Sequence, residues 1–110
     1  MNVGDIYLCD FGEPEGHEAG FRRPAVVISP EALNRHGIAI VLPITRTRRG
    51  YPTHVELDGV LPVLSYVQCE LIKAIAVSRC QRQVGTADDA HLAQIRLILA
   101  RLLGLAPTAR

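Results

Sequence analysis

Short apolar runs separated by loops containing glycine and proline fill most of the chain, a pattern that predicts strands. Strands are predicted over residues 6–11, 24–28, 38–45, 54–57 and 73–77, and a further apolar segment covers residues 61–72. Residues 25–28 are continuously apolar and indicate a strand buried on both faces, whereas residues 54–57 alternate strictly and indicate a half-buried strand. Pro43 lies inside the third run and indicates an edge or a bulge, because proline lacks the N–H that a sheet ladder needs. Gln68 and Glu70 are two residues apart, which would place them on one face of a strand.

One helix is predicted near the C-terminal end, because apolar residues recur there at helical spacing. The stripe consists of Leu92, Ile95, Leu99 and Leu102, and it is widened by Ile98, Leu103 and Leu105. Thr86 is predicted as the N-cap, with Asp89 able to bond back to it. Gly104 and Pro107 predict the end of the helix. Residues 79–85, before the helix, are predicted to be a connection.

Length and composition fit this order of elements. The chain has 110 residues, of which 48% are hydrophobic and 21% charged, as is ordinary for one small globular domain, here spanning residues 1–110. The predicted fold class is mainly β with α: a small, strongly bent, barrel-like sheet with a C-terminal helix. No apolar run approaches the ~20 residues that span a bilayer, so no membrane association is expected.

The cysteines and histidines predict neither a disulfide framework nor a metal site. Cys9, Cys69 and Cys80 are odd in number and lack CxxC spacing, which predicts reduced thiols in a cytoplasm. The histidines are His17, His36, His54 and His91. None has a second ligand at helical or knuckle spacing, so no metal ligand is assigned.

The candidate chemistry is concentrated in residues 16–29, a loop that runs into an apolar strand. Here His17, Glu18 and Arg22 precede Arg23, which is held extended by the following Pro24. The net charge is only +1, but the arginines are clustered. Those within this loop and the later basic run are Arg22, Arg23, Arg46, Arg48 and Arg49. A local basic surface of this kind can bind phosphate whatever the net charge.

Several of these stretches resemble one known family. They are Gly4-Asp5-Ile6-Tyr7, Gly16-His17-Glu18, the run Arg23-Pro24-Ala25-Val26-Val27-Ile28-Ser29, and Pro43-Ile44-Thr45. Together they strongly resemble the MazF/PemK (Kid) toxins, the growth-inhibiting halves of bacterial type II toxin–antitoxin pairs, and the likeness runs from Gly4 to the terminal helix. The resemblance implies an SH3-like barrel related to the toxin CcdB and a cytoplasmic homodimer. It also implies metal-independent cleavage of single-stranded RNA at short sequences, no cofactor, and a cognate antitoxin as partner.

The resemblance also implies catalytic residues. It places the family's catalytic arginine at Arg23 and its supporting threonine at Thr45, and a guanidinium fork does suit phosphate oxygens. His17 matches the loop histidine of PemK-type members, and Glu70 matches their aspartate as a longer carboxylate. Gln68 stands where those members have arginine, and a neutral amide cannot replace a cationic acid.

Each assignment has a structural alternative. Arg23 could form a clamp with Glu18 or Glu70, His17 could be a solvated loop residue, and Glu70 could pair across the sheet. The run 46–51 could be a solvated loop rather than an RNA-binding flap. In the flap interpretation Arg46, Arg48 and Arg49 bind phosphates and Tyr51 stacks a base; Glu18, Arg22 and Gln68 complete the predicted substrate-binding set.

Two other functions compete with the ribonuclease. A CcdB-like poison would bind a protein target and cut nothing, and a degenerate family member would be inactive. The wide apolar face of the last helix could be core, or could meet a dimer partner or the antitoxin.

Overall fold

Seven antiparallel strands and a C-terminal helix build the domain in this computed structural model, which describes residues 1–105. The strands are β1 (Asp5–Asp10), β2 (Arg22–Val27), β3 (Ile38–Thr45), β4 (His54–Leu57), β5 (Ser65–Gln68), β6 (Lys73–Ala76) and β7 (Cys80–Thr86). The helices are α1 (Glu31–Asn34) and α2 (Asp89–Leu102). The sheet order is β4-β5-β3-β2-β1-β7, with β6 also paired to β3. The mainly β class with a C-terminal helix is therefore confirmed, and within the described residues no pairing joins β4 to β7 to close the sheet.

Strand β3 is the centre of the sheet rather than an edge. It pairs with β2 on one side, and on the other side with β6 through Val41 and with β5 from Ile44 onward. Pro43 falls in the gap between those two partners, where a missing N–H is tolerated. The edge prediction for Pro43 is thus wrong, because this strand changes partner at the proline.

Strand β7 occupies a stretch that sequence patterning assigned to a connection. Residues 80–86 pair antiparallel with β1 at the end of the sheet, with register shifts on either side of the Tyr7–Leu8 pairs. Most of its residues are exposed or half-buried, so the apolar alternation that marks a strand is weak here. The pairing partner lies far away in sequence, and only the fold brings the two together.

The buried side chains form two clusters, one of which lies between the sheet and α2. Helix residues Leu92, Ile95 and Leu99 are buried against sheet residues such as Val26 and Leu42. The prediction that Leu102 extends this stripe is wrong, since Leu102 is 44% exposed.

The ends of α2 also differ in part from the prediction. The N-cap is Asp88, whose Oδ1 accepts a hydrogen bond from the backbone N–H of His91, rather than Thr86. Gly104 follows the helix with a positive φ, as a helix-ending glycine does. Pro107 lies outside the described residues.

All three cysteines are reduced thiols, as predicted. Cys9 and Cys69 are fully buried, and burial raises the pKa of Cys69 to about 12. Cys80 on β7 faces Cys9 on β1, with their Sγ atoms 3.5 Å apart. No helix among residues 1–105 is long and apolar enough to cross a membrane.

Candidate active site

A groove of about 740 Å³ crosses the sheet where β2 and β3 meet β7 and the segment before β5. It is lined by Leu8, Arg22, Arg23, Pro24, Ile44, Thr45, Arg46, Leu61, Pro62, Val63, Ser65, Arg82, Gln83 and Val84. The fold thereby brings Arg22 and Arg23, at the start of β2, to the same groove as the end of β3.

The groove is cationic although the chain as a whole is nearly neutral. Among the described residues it is lined by Arg22, Arg23, Arg46 and Arg82, and none of these described lining residues is acidic. Uncompensated guanidiniums in a concave site focus a positive potential. The groove therefore favours a polyanion, and guanidinium geometry favours phosphate.

Arg23 and Thr45 are set by the strands beneath them. The register of β2 and β3 pairs Val26 with Leu42 and Ala25 with Pro43. Continued by two residues, it sets Arg23 level with Thr45, and both line the groove. The two predicted catalytic residues therefore lie two positions beyond the paired part of β2 and β3, at the groove end of both strands.

The partner of Arg23 is neutral. Its Nη1 donates to Oε1 of Gln68, 3.4 Å away, and Gln68 is buried at the end of β5. The carboxylates of the predicted clamp bond elsewhere: Glu18 lies 3.7 Å from Lys73, and Glu70 binds His54. Gln68 therefore orients the guanidinium without neutralising its charge.

Thr45 keeps a donor for a substrate. Its Oγ1 accepts a hydrogen bond from the backbone N–H of Thr47 at 3.1 Å, which fixes the turn after β3. A hydroxyl has one donor and two acceptor positions, so its O–H can still donate to a phosphate oxygen.

Glu70 belongs to a second cluster. A 3₁₀ turn, Cys69–Leu71, follows β5 and breaks the period of two, so Gln68 and Glu70 do not share a strand face as predicted. Glu70 accepts from the Thr53 hydroxyl at 2.9 Å and lies 3.0 Å from Nε2 of the buried His54. Burial alone would raise the pKa of the Glu70 carboxyl, but the hydrogen bonds from His54, its own backbone and Thr53 outweigh it and lower that pKa.

The remaining predicted residues surround these two clusters. Glu18, Glu70 and Lys73 line a smaller hollow of about 250 Å³. His17 is exposed in the loop between β1 and β2 and is not among the residues lining either hollow. Tyr51 packs its ring against His54, with ring centroids 5.1 Å apart.

Arg48 and Arg49 are exposed in the segment between β3 and β4. They lie beyond the residues that line the groove, and only Arg46 of the predicted flap reaches it. Among residues 1–105 no group of three or more His, Cys, Asp or Glu side chains is placed to hold a metal ion.

Sequence patterning missed two residues with clear positions. Arg82 lines the groove from β7, and His54 is the buried partner of Glu70. Arg82 lies in residues 79–85, for which the sequence predicts a connection. Its position in the groove could be predicted only if these residues were recognised as a strand paired with β1. His54 begins a correctly predicted strand, but only the fold shows that Glu70 faces it.

The Glu70 cluster makes stability depend on pH. A carboxyl whose pKa is lowered by folding stabilises the protein at neutral pH, and this contribution is lost as the pH falls through the folded-state pKa. We expect Glu70→Gln to lower the free energy of unfolding at pH 7 by less than about 1 kcal/mol, because solvent screens this partly exposed carboxyl. The difference from wild type should shrink as the pH falls through the lowered pKa of Glu70. Urea denaturation at a series of pH values measures this difference in the free energy of unfolding. The control is Glu56→Gln, which removes an exposed carboxylate of β4. A difference in the free energy of unfolding between Glu70→Gln and wild type that stays constant with pH would contradict the lowered pKa of Glu70.

The open sheet, the terminal helix and the arginine-lined groove together define a small, mainly β protein with a cationic groove. The family model for the PemK-like, MazF-like toxin of type II toxin–antitoxin systems matches residues 2–103. The chain belongs to this family.

Individual relatives cover almost the whole chain. Endoribonuclease MazF9 of Mycobacterium tuberculosis is 34% identical over an alignment of 105 positions, which covers 86% of this chain and 89% of that protein. The crystal structure of MazF from Deinococcus radiodurans has a TM-score of 0.86 at 34% identity, covering 94% of this chain and 96% of that one. An endoribonuclease from a Mycobacterial species, in complex with its cognate antitoxin, has a TM-score of 0.82 at 28% identity, covering 98% and 99%.

Proposed function

We propose that this protein is a toxin endoribonuclease that cleaves single-stranded RNA and is neutralised by a cognate antitoxin. The observation that carries the proposal is the groove itself, which is lined by both Arg23 and Thr45 and has no acidic side chain among its described lining residues. Relatives named as MazF endoribonucleases, with coverage along nearly the full chain, support the same activity.

The chemistry proposed needs no metal. The substrate's own 2′-hydroxyl attacks the adjacent phosphorus, the 5′-oxygen leaves, and a 2′,3′-cyclic phosphate forms. Arg23 stabilises the charge of the phosphorane through its guanidinium fork, and Thr45 donates its O–H to the same phosphate. The presence of both residues in the lining of one groove supports these roles.

His17 is the better candidate for the general base. Both carboxylate oxygens of Glu70 are engaged, by Thr53 and His54, and its pKa is lowered, which weakens it as a base. We therefore assign Glu70 a structural role, in which its carboxylate holds Thr53 and His54. His17, on its exposed loop, is available to approach a bound 2′-hydroxyl.

Unpaired RNA is the substrate that fits best. Its bases can splay out and be read at their edges, whereas duplex RNA hides them. The groove binds the backbone through Arg22, Arg46 and Arg82, and we place the toxin in the cytoplasm as a homodimer whose antitoxin covers this groove. A CcdB-like poison is less favoured, since binding a protein target does not require an arginine level with a threonine at the floor of a cationic groove.

The test is cleavage of a long unstructured RNA by the purified protein in excess EDTA, with cut sites mapped by primer extension and end groups identified by mass spectrometry of the fragments. We expect discrete cuts that leave 2′,3′-cyclic phosphates. Intact RNA together with growth arrest on expression would point to a protein target. Intact RNA without growth arrest would point to a degenerate toxin.

A further inference from the structure

Phe21 stands out as an exposed aromatic in a conformation that side chains rarely adopt. Its φ is +59°, the one positive φ of a non-glycine residue among those described, and its side chain is 64% exposed. A bulky residue in this left-handed region carries backbone strain, whereas glycine adopts it freely. Such outliers persist where the surroundings hold them, and they are frequent at functional sites.

The surroundings of Phe21 do hold it. Its N–H donates to the carbonyl of Gly12 at 2.6 Å, and its own carbonyl accepts from the N–H of Phe11 at 2.8 Å. Just before it, Ala19 is buried in the core, and Gly20 lies so close to Pro14 that an added Cβ would be 2.4 Å from that ring. The backbone at Phe21 is thus fixed from both sides, while the phenyl ring contributes little to the core.

Phe21 is also one residue away from the cationic groove along the chain. Phe21 immediately precedes Arg22, which lines the groove, so their Cα atoms are ~3.8 Å apart. Aromatic rings beside a positively charged groove are the common means of binding single-stranded nucleic acid, because every base has a face to stack. Phosphate contacts hold the backbone and the ring holds a base.

We propose that Phe21 is a base-stacking residue, which receives one unpaired nucleobase of the RNA whose backbone lies in the groove. The proposal rests on the function proposed above and adds a specific contact to it. It also explains why a ring occupies a position where glycine would relieve the backbone: the fixed turn pre-organises the ring for its base.

The experiment measures binding and cleavage separately. The probe is a short, fluorescein-labelled oligonucleotide whose sequence is a cut site mapped on RNA. All its sugars are 2′-deoxy, so it lacks the attacking hydroxyl and can bind without being cleaved. We expect Phe21→Ala and Phe21→Gly both to weaken binding by about 5- to 100-fold, and Phe21→Tyr to stay within about threefold of wild type. Because alanine keeps the strained turn and glycine relieves it, equal losses assign the effect to the ring. Leu33→Ala, which trims a half-exposed leucine of α1 away from the groove, is the control.

An abasic scan then identifies the stacked base. Removing one base at a time from the probe should produce one position at which wild type and Phe21→Ala bind equally well. Binding unchanged in Phe21→Ala, a loss in only one of the alanine and glycine variants, or no such position would overturn the stacking proposal while leaving the ribonuclease intact. A loss of antitoxin binding without any loss of oligonucleotide binding would overturn it in favour of a protein contact. Wild type that neither cuts RNA nor binds the probe would overturn the proposed function itself.

Discussion

Replacing Arg23 with alanine is expected to lower the rate of RNA cleavage by about 10³-fold while leaving the fold intact. The guanidinium faces the groove, and its contact with protein is a 3.4 Å hydrogen bond to the neutral amide of Gln68. Its full positive charge is therefore available where negative charge develops on the phosphorane. Truncation removes that charge together with the donors that bind phosphate oxygens, and the loss falls on kcat.

Two further variants separate chemistry from binding. Arg23→Lys keeps a charge but loses the planar fork, so its activity should lie between wild type and Arg23→Ala. Arg82→Ala removes a groove arginine that lies on β7, away from Thr45. We expect it to weaken RNA binding at low salt and to reduce the salt slope by about one, with kcat little changed.

The measurement is single-turnover cleavage of a labelled RNA at saturating enzyme, alongside urea denaturation of each variant. Equal losses of kcat in Arg23→Ala and Arg82→Ala would contradict the assignment, because they would make Arg23 one of several equivalent phosphate contacts. Loss of stability in Arg23→Ala would indicate a structural clamp instead.

The parts of this molecule that sequence predicted are those set by local pattern. Residues 54–57 form the half-buried strand β4 because their alternation matches the period of a sheet. Arg23 is extended because Pro24 disfavours helical geometry at the residue before it, although strand β2 begins one residue earlier, at Arg22. Thr45 was assigned through family resemblance alone, since an isolated threonine at a strand end has no pattern of its own.

The features that the sequence did not predict depend on pairing between distant segments, or on a point where the two-residue alternation of a strand is interrupted. β7 is a strand because β1 lies beside it, and polar residues on an edge give little signal. The position of Arg82 in the groove was lost with it. Gln68 and Glu70 were placed on one face, but the 3₁₀ turn at Cys69 sends Glu70 to His54 and leaves Gln68 with Arg23.

Leu42→Ala should have the largest effect on stability, a loss of about 2–5 kcal/mol in the free energy of unfolding. Leu42 is fully buried in β3, opposite Val26 of β2 and in the cluster that packs on α2. Truncation removes apolar contacts and leaves a cavity that a paired central strand cannot close. Since small domains are stable by only about 5–15 kcal/mol, this would be a substantial fraction of the total.

Chemical denaturation of Leu42→Ala and Leu33→Ala compares the loss of unfolding free energy for the same truncation at a buried and at an exposed position. Leu33 is 36% exposed on α1, so its variant should remain within about 0.5–1 kcal/mol of wild type. Similar losses at the two positions would mean that β3 is not the centre of the core.

The Leu42 and Arg23 variants should lose RNA cleavage for different reasons, because Leu42 is buried in the core whereas Arg23 lines the groove. Leu42 contributes to the population of folded molecules, whereas Arg23 contributes to the reaction that each folded molecule performs. Leu42→Ala should therefore cleave RNA at low temperature. It should lose this activity on warming, at the temperature of its own unfolding midpoint. Arg23→Ala should be inactive at every temperature at which it is folded. Parallel temperature profiles for the two variants would show that the groove depends on its guanidinium for structure rather than for chemistry.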